Sequence, residues 1–218
     1  MIIKLLKPLG ETLLLTFIPL ILAIFFGLII GIFVYITSSD GLIRGDNKLI
    51  GIIHRVSDFL INLFRAIPYM ILLIWVIPLA KMLMGTMLGV KGAIPSLVIS
   101  ATPFFARMCI IAFTEVDKGT VEAAKALGAS TLDVIFKVYI PESLPALVSS
   151  ICVTAINLVS YSTMAGAIGA GGLGFSAYNE GFLRSNTGIL LGATVLILII
   201  VFAIQLTGDK ISKAIDKR

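Results

Sequence analysis

Long runs of apolar residues alternate with short polar segments along the whole chain. A helix needs roughly 20 mainly apolar residues to cross about 30 Å of hydrocarbon. The stretches of that length are 12–36, 57–80, 93–114, 143–166 and 188–208. Helix is required because unpaired backbone groups cannot face lipid, and no stretch shows the period-two alternation of a membrane β-strand. The pattern predicts an all-α integral membrane protein with about five transmembrane helices, the second kinked by Pro68 and Pro78.

Composition supports this interpretation. The 218 residues are 58% apolar and 13% charged, with a mean hydropathy of +1.08, whereas soluble domains carry about 25% charge. This excludes a disordered chain, a collagen-like chain and a nucleic-acid module. The net charge of +5 follows from topology, because membrane proteins keep Lys and Arg in their cytoplasmic loops.

The distribution of basic residues predicts the orientation. If the loops near 37–56 and 115–142 and the C-terminal tail share one side, that side, with the adjoining helix ends, holds twelve Lys and Arg residues against five on the other. The richer side is expected to be cytoplasmic, which places the N-terminus outside and the C-terminus in the cytoplasm. The twelve are Arg44, Lys48, Arg55, Arg65, Arg107, Lys118, Lys125, Lys137, Lys210, Lys213, Lys217 and Arg218, and the five are Lys4, Lys7, Lys81, Lys91 and Arg184.

The loop of residues 115–142 is predicted to form two short helices with a corner between them, and it is termed the elbow. Residues 121–127 include three alanines and favour helix, and Gly128 is placed to end it. Five acids against three lysines suit a protein partner better than anionic lipid, whose surface helices are rich in Lys and Arg. A plain connector between two spans is the alternative.

The second helix of the elbow has its own start and stop signals. Ser130 and Asp133 are spaced as a near capping box, and Pro141 is expected to end the helix before the next span. One apolar face is predicted from the i, i+3, i+4 and i+7 spacing of Leu132, Ile135, Phe136 and Tyr139.

The elbow carries a longer pattern that resembles the EAA loop of ABC importer permeases, E-A-A-x3-G-x9-I-x-L-P. The matching residues are Glu122, Ala123, Ala124, Gly128 and Pro141, with Val138 and Ile140 replacing Ile and Leu. The resemblance implies that these five residues form the coupling segment that docks on an ATP-hydrolysing subunit. It also implies a permease domain over 11–209 and a short charged tail over 210–218.

Three further stretches are similar to the methionine importer permeases: FRAIPYMILLIWVIP (64–78), TPFFARM (102–108) and YSTMAGAIGAGGLG (161–174). This resemblance implies methionine as the solute, in the L and also the D form, and the bacterial cytoplasmic membrane as the location. It implies three partners: a second copy of the chain, ATPase subunits that hold ATP and Mg, and an extracytoplasmic substrate-binding protein. Another amino acid or small solute remains an alternative, as does an ATP-independent transporter or channel.

Polar residues follow one face of the fourth predicted span, at i, i+3, i+4 and i+7: Asn157, Ser160, Tyr161 and Met164. One hypothesis is that they line the pathway, with Met164 as a gate. The alternative is hydrogen bonding between helices of the bundle. These two interpretations are left open.

Other motifs carry less functional information. Gly169, Gly171 and Gly174 make a formal G-x-G-x-x-G, but an apolar span precedes it, so a turn is expected and a dinucleotide site is not. Gly27 and Gly31 allow close helix contact, within the bundle or between copies. Arg107 is expected to reach the headgroups or to pair with an acid, with Glu115 as the candidate. The chain shows no P-loop and no catalytic or metal-binding set, so neither an enzyme nor a cofactor site is expected.

Overall fold

The computed structural model describes residues 2–38, 41–42 and 48–216, so Arg44, Lys217 and Arg218 of the orientation argument lie outside the described residues. Within those ranges every regular element is helical, as the sequence predicts. The α-helices are α1 (Ile2–Ile36), α2 (Lys48–Ala66), α3 (Tyr69–Met84), α4 (Gly89–Thr114), α5 (Lys118–Ala126), α6 (Thr131–Val134), α7 (Ile140–Ala165), α8 (Gly172–Phe175) and α9 (Thr187–Ile215). The π-helical segments are Ile135–Tyr139, Gly166–Ala170 and Ser176–Phe182.

Four continuous helical stretches in the described part are long and apolar enough to cross a membrane. They are Ile3–Ile36, Gly89–Thr114, Thr131–Ala170 and Thr187–Ile215. Each contains or largely covers a predicted span, and together with the pair α2 and α3 they give up to five crossings. The prediction of an all-helical membrane protein is therefore confirmed.

The second predicted span, 57–80, is not the kinked single helix that the sequence suggested. It is divided between α2 and α3, whose axes are bent by 109°. Pro68 has an extended conformation, with φ −57° and ψ 133°. A residue before proline is disfavoured in the α region, so the helix stops at Ala66 and a new one begins at Tyr69.

Helix α1 packs closely along α4 through its two central glycines. A Cβ added at Gly27 would lie 2.9 Å from the carbonyl oxygen of Thr102, and one at Gly31 would lie 2.7 Å from the Cβ of Cys109. These distances are too short for any larger side chain without a shift of the backbone. The GxxxG pair therefore serves packing within the bundle.

The chain reverses sharply after α7. Gly169, Gly171 and Gly172 have φ of 103°, 85° and 80°, values that side-chain-bearing residues rarely adopt. Residues 172–182, termed the return segment, then fold back against the end of α7, where Gly174 leaves no room for a Cβ against the backbone of Thr163. The three glycines thus make the tight turn that the sequence predicts.

Candidate functional site

The first helix of the elbow has a defined start and end. The side chain of Asp117 accepts a hydrogen bond from the backbone N–H of Thr120 at 3.0 Å, which caps α5. At the other end Gly128 has φ 82°, and the N–H of Ala129 donates to the carbonyl oxygen of Ala124 at 3.1 Å. This left-handed glycine ends the helix and makes the corner, as predicted.

The second helix of the elbow begins with the predicted capping box. The backbone N–H of Asp133 donates to the Ser130 hydroxyl at 3.2 Å, and the N–H of Ser130 donates to the Asp133 carboxylate at 3.3 Å. Lys137 lies one turn further and forms an ion pair with the same carboxylate at 2.5 Å. These contacts fix the direction in which α6 leaves the corner.

Pro141 does not end this helix, so that expectation is wrong. Helical backbone continues from Thr131 to Ala170, with Pro141 in the first turn of α7. The turn before it is π-helical, and the N–H of Ile140 donates to the carbonyl oxygen of Ile135, five residues back. A proline lacks an N–H and crowds the carbonyl four residues earlier, and the wider turn accommodates both defects.

The elbow is attached to the transmembrane bundle by an apolar cluster. Val121 of α5, Val134 of α6 and Tyr139 are buried against Phe113 and Leu147 of the long helices. Because the cluster is continuous with the bundle, a displacement of the elbow would reach α4 and α7 directly.

The opposite side of the elbow is exposed and mixes one acid with small and apolar side chains. Glu122 and Ala123 are exposed, whereas Ala124 is partly buried against the cluster. Leu127 is 89% exposed, with Leu132 and Phe136 nearby in sequence and also exposed. A surface of this composition is typical of a protein contact, since solitary loops seldom expose several large apolar residues together.

The predicted apolar face of the second helix is only half right. Ile135 and Tyr139 are buried at 4% and 6% exposure, but Leu132 and Phe136 are 65% and 63% exposed. The buried residues of this helix are Val134, Ile135 and Tyr139, and the last two lie at the two ends of the π-helical turn. The sequence analysis therefore missed Leu127, Leu132 and Phe136 as surface residues.

The predicted polar stripe lies on one face of α7. Ser160 and Met164 are exposed, and Asn157 and Tyr161 are partly buried. The Tyr161 ring stacks on Tyr69 of α3, with centroids 4.7 Å apart and planes 14° apart. Ser160 donates its hydroxyl to the carbonyl of Ile156 in its own helix at 3.3 Å.

Arg107 has a different partner from the one expected. Its guanidinium lies 3.3 Å from the carboxylate of Asp58 on α2, and both side chains are partly exposed. Glu115 was the wrong candidate because α2 crosses α4 at the level of Arg107, a contact that no local pattern in the sequence reveals. The ion pair therefore connects α2 with α4 of the bundle.

The structure is a helical membrane bundle with an elbow that packs on the long helices by one side and is exposed on the other. These features define the class as a membrane protein with a surface that a second protein can bind. The chain belongs to the family of binding-protein-dependent transport system inner membrane components, which matches residues 27–218. Members of this family are permease subunits of ABC transporters, and ATP is hydrolysed by a separate subunit.

Named relatives agree with this family. The methionine import system permease protein MetP of Bacillus subtilis (strain 168) is 53% identical over 166 residues, which are 76% of this chain and 75% of the relative. The probable D-methionine transport system permease protein MetI of Pasteurella multocida (strain Pm70) is 39% identical over 208 residues, 95% of this chain and 94% of the relative.

A solved structure shares the backbone arrangement. It is a chain of the MetNI methionine ABC transporter in inward-facing conformations, with a TM-score of 0.91 and 38% identity over 95% of this chain and 94% of that chain. The chain therefore shares its fold with a chain of that transporter over nearly its whole length.

Proposed function

We propose that this chain is the permease subunit of an ATP-driven importer that carries methionine, in the L and also the D form, into the cell. The observation that carries the proposal is the elbow, whose exposed Glu122 and Ala123 lie on the opposite side of α5 from the buried Val121. A partner that binds the exposed side and displaces α5 would also displace the bundle, because the buried side of α5 packs against α4 and α7. Methionine is the solute in the names of the relatives described above.

The proposal includes an orientation and a location. The elbow and the C-terminal tail face the cytoplasm, and the start of α1 and the return segment face outward, as the excess of basic residues on the elbow side favours. The permease domain spans 11–209, with 210–218 as a short charged tail. The location is the bacterial cytoplasmic membrane, which the chain crosses several times.

The proposed assembly contains two copies of this chain, with one ATPase subunit on each elbow and a binding protein outside. ATP and Mg are held by the ATPase subunits. Closure of the ATPase pair would move the two elbows together through their contacts at Glu122, Ala123, Ala124, Gly128 and Pro141. The solute pathway between the copies would then open alternately to each side.

The pathway is proposed to follow the stripe on α7. Asn157, Ser160, Tyr161 and Met164 share one face, and Ser160 and Met164 are exposed in the single chain. These two exposed residues are available to line a passage when two copies meet. Met164 is flexible enough to close the passage behind a solute that is itself a thioether.

The function is tested by uptake of labelled methionine into proteoliposomes that contain the chain, a co-purified ATPase and the binding protein. We expect uptake only with ATP, and competition by unlabelled L- and D-methionine but not by an unrelated amino acid. Uptake without ATP would identify a channel or a secondary transporter. ATP-driven uptake that methionine fails to compete with would identify an importer of another solute.

The pathway residues are tested in the same vesicles. Met164→Ala is expected to add a methionine leak without ATP, because the gate loses most of its side chain, and Asn157→Ala is expected to reduce uptake. Val195→Ala, an exposed change on α9 and away from the stripe, serves as the control. Unchanged uptake and no leak in both variants would assign the stripe to packing between helices.

A further inference from the structure

The outward end of α1 is bonded to the return segment by two side chains. The Glu11 carboxylate accepts a hydrogen bond from the backbone N–H of Gly172 at 2.8 Å, and the Thr12 hydroxyl accepts one from Leu173 at 2.8 Å. Thr12 is 1% exposed, and its hydroxyl also donates to the carbonyl oxygen of Pro8 at 3.1 Å. These bonds, termed the clamp, join residues 161 positions apart in the chain.

The glycine turn is shaped to receive the clamp. A Cβ at Gly171 would lie 2.7 Å from the Glu11 carboxylate, and one at Gly172 would lie 2.8 Å from the Thr12 hydroxyl. Both glycines also have positive φ. The first N–H groups of a helix lack partners within the helix. The clamp supplies acceptor oxygens for two of them, at Gly172 and Leu173, and so fixes the start of the return segment.

The return segment packs against the turn of α7 that carries the proposed gate. It packs against the last turns of α7, where the Gly174 backbone meets Thr163, the neighbour of Met164. The position of this segment therefore affects access to the outward end of the polar stripe.

The inward end of α1 meets the elbow. The Tyr35 ring packs edge-on against Tyr139, with centroids 5.1 Å apart, and against Phe113 at 5.6 Å. The two tyrosine hydroxyls are 3.4 Å apart. Tyr139 is the last residue of the π-helical turn that joins the elbow to α7, so Tyr35 touches the joint through which the elbow would move.

Between its two ends α1 packs at backbone distance against α4. Gly27 and Gly31 hold it at backbone contact with Thr102 and Ala106. The 35 residues of α1 span about 50 Å at 1.5 Å per residue, which is enough to connect the two faces of a membrane.

We infer that α1 is a strut through which the elbow controls the outward return segment, with Glu11 and Thr12 as positioning residues at one end and Tyr35 at the other. This rests on the proposed function for the direction of the chain and for the role of the elbow. The strut adds a route along α1 to the route along α7: a shift of Tyr139 displaces Tyr35, and the clamp passes the displacement to residues 172–182.

The inference is tested by the accessibility of a cysteine in the return segment. Ser176→Cys, at a position that is 1% exposed, is introduced in a Cys152→Ser background, and intact cells that express the whole transporter are labelled with a membrane-impermeant maleimide. Thr12→Val removes the hydroxyl and keeps the shape, so it is expected to raise the labelling rate about tenfold, the effect of one lost buried hydrogen bond. Thr12→Ser, which keeps the hydroxyl, is expected to restore the low rate and shows that the site still folds.

The distant end distinguishes a strut from a local cap. Tyr35→Leu is expected to raise labelling at the same cysteine by a similar factor, whereas Phe33→Leu, an exposed change near the same end of α1, leaves it unchanged. Increased labelling with Thr12→Val alone would overturn the strut and leave only a cap, and equal labelling in all variants would overturn both. Because labelling needs no ATP, failure of the proposed function would appear separately, as absent uptake in the wild-type transporter.

Discussion

At the scale of single residues, Gly128 is the position where backbone geometry and function meet most directly. Its φ of 82° lies in the region that only glycine, and to a lesser degree asparagine, adopts at little cost. No atom would lie within 4 Å of an added Cβ. Any effect of a substitution must therefore come from the backbone or from the partner, and not from crowding within the chain.

Because of this positive φ, two substitutions of Gly128 are expected to have different outcomes. Gly128→Val is expected to strain the corner by about 1–2 kcal/mol and to lower ATP-driven methionine uptake severalfold, since the two short helices lose their relative direction. Gly128→Asn is expected to retain most uptake. Initial uptake rates at matched transporter levels test this, and equal rates for the two variants would show that the corner geometry is unimportant.

At the scale of helices, contact between α1 and α4 depends on two missing side chains. Gly31→Ala must push its methyl group into Cys109 and Ala106, so it is expected to destabilise the protein by about 1–3 kcal/mol. Gly10→Ala in the same helix meets no atom within 4 Å and is expected to be neutral or to stabilise by up to about 1 kcal/mol. Thermal unfolding in detergent compares them, and an equal loss of stability would contradict the packing argument.

Helix positions and local caps follow from the sequence, but contacts between distant segments do not. Run length predicts the long helices, and the Ser130 and Asp133 spacing predicts the capping box, because both depend on neighbours in the chain. The bend at Pro68 and the π-helical turn before Pro141 were underestimated, since a proline signals a defect without giving its size. The partners Asp58 with Arg107 and Glu11 with Gly172 are separated by 49 and 161 positions, and no periodic pattern links them.

At the candidate site, too, some residues could be predicted from the sequence and others could not. Resemblance and spacing identify Glu122, Ala123 and Gly128, and the structure places all three at an exposed corner. The exposed apolar residues beside them were missed for two reasons: the spacing of Phe136 assigned it to a buried face, and no pattern in the sequence assigned a position to Leu127. Exposure of such residues can be assigned only when the packing of the whole elbow is known.

At the scale of the whole molecule, the chain has few charged groups in its long helices and a cluster of exposed groups on one elbow. In the described part of the chain, the elbow offers an exposed surface that a protein partner can contact. The elbow core of Val121, Val134 and Tyr139 is continuous with α4 and α7. In the proposed mechanism, the ATPase therefore binds the exposed side of α5, and the resulting movement of the bundle opens the pathway along the polar stripe of α7.

Retention of the ATPase by variants of the purified chain shows whether the exposed side of α5 is the contact for the ATPase. Glu122→Arg reverses a charge at the proposed contact, whereas Glu180→Arg makes the same reversal in the return segment. We expect Glu122→Arg to reduce ATPase retention about tenfold or more, as loss of a central interface residue does, and Glu180→Arg to retain it fully. Full retention and full ATP-driven uptake with Glu122→Arg would contradict the account.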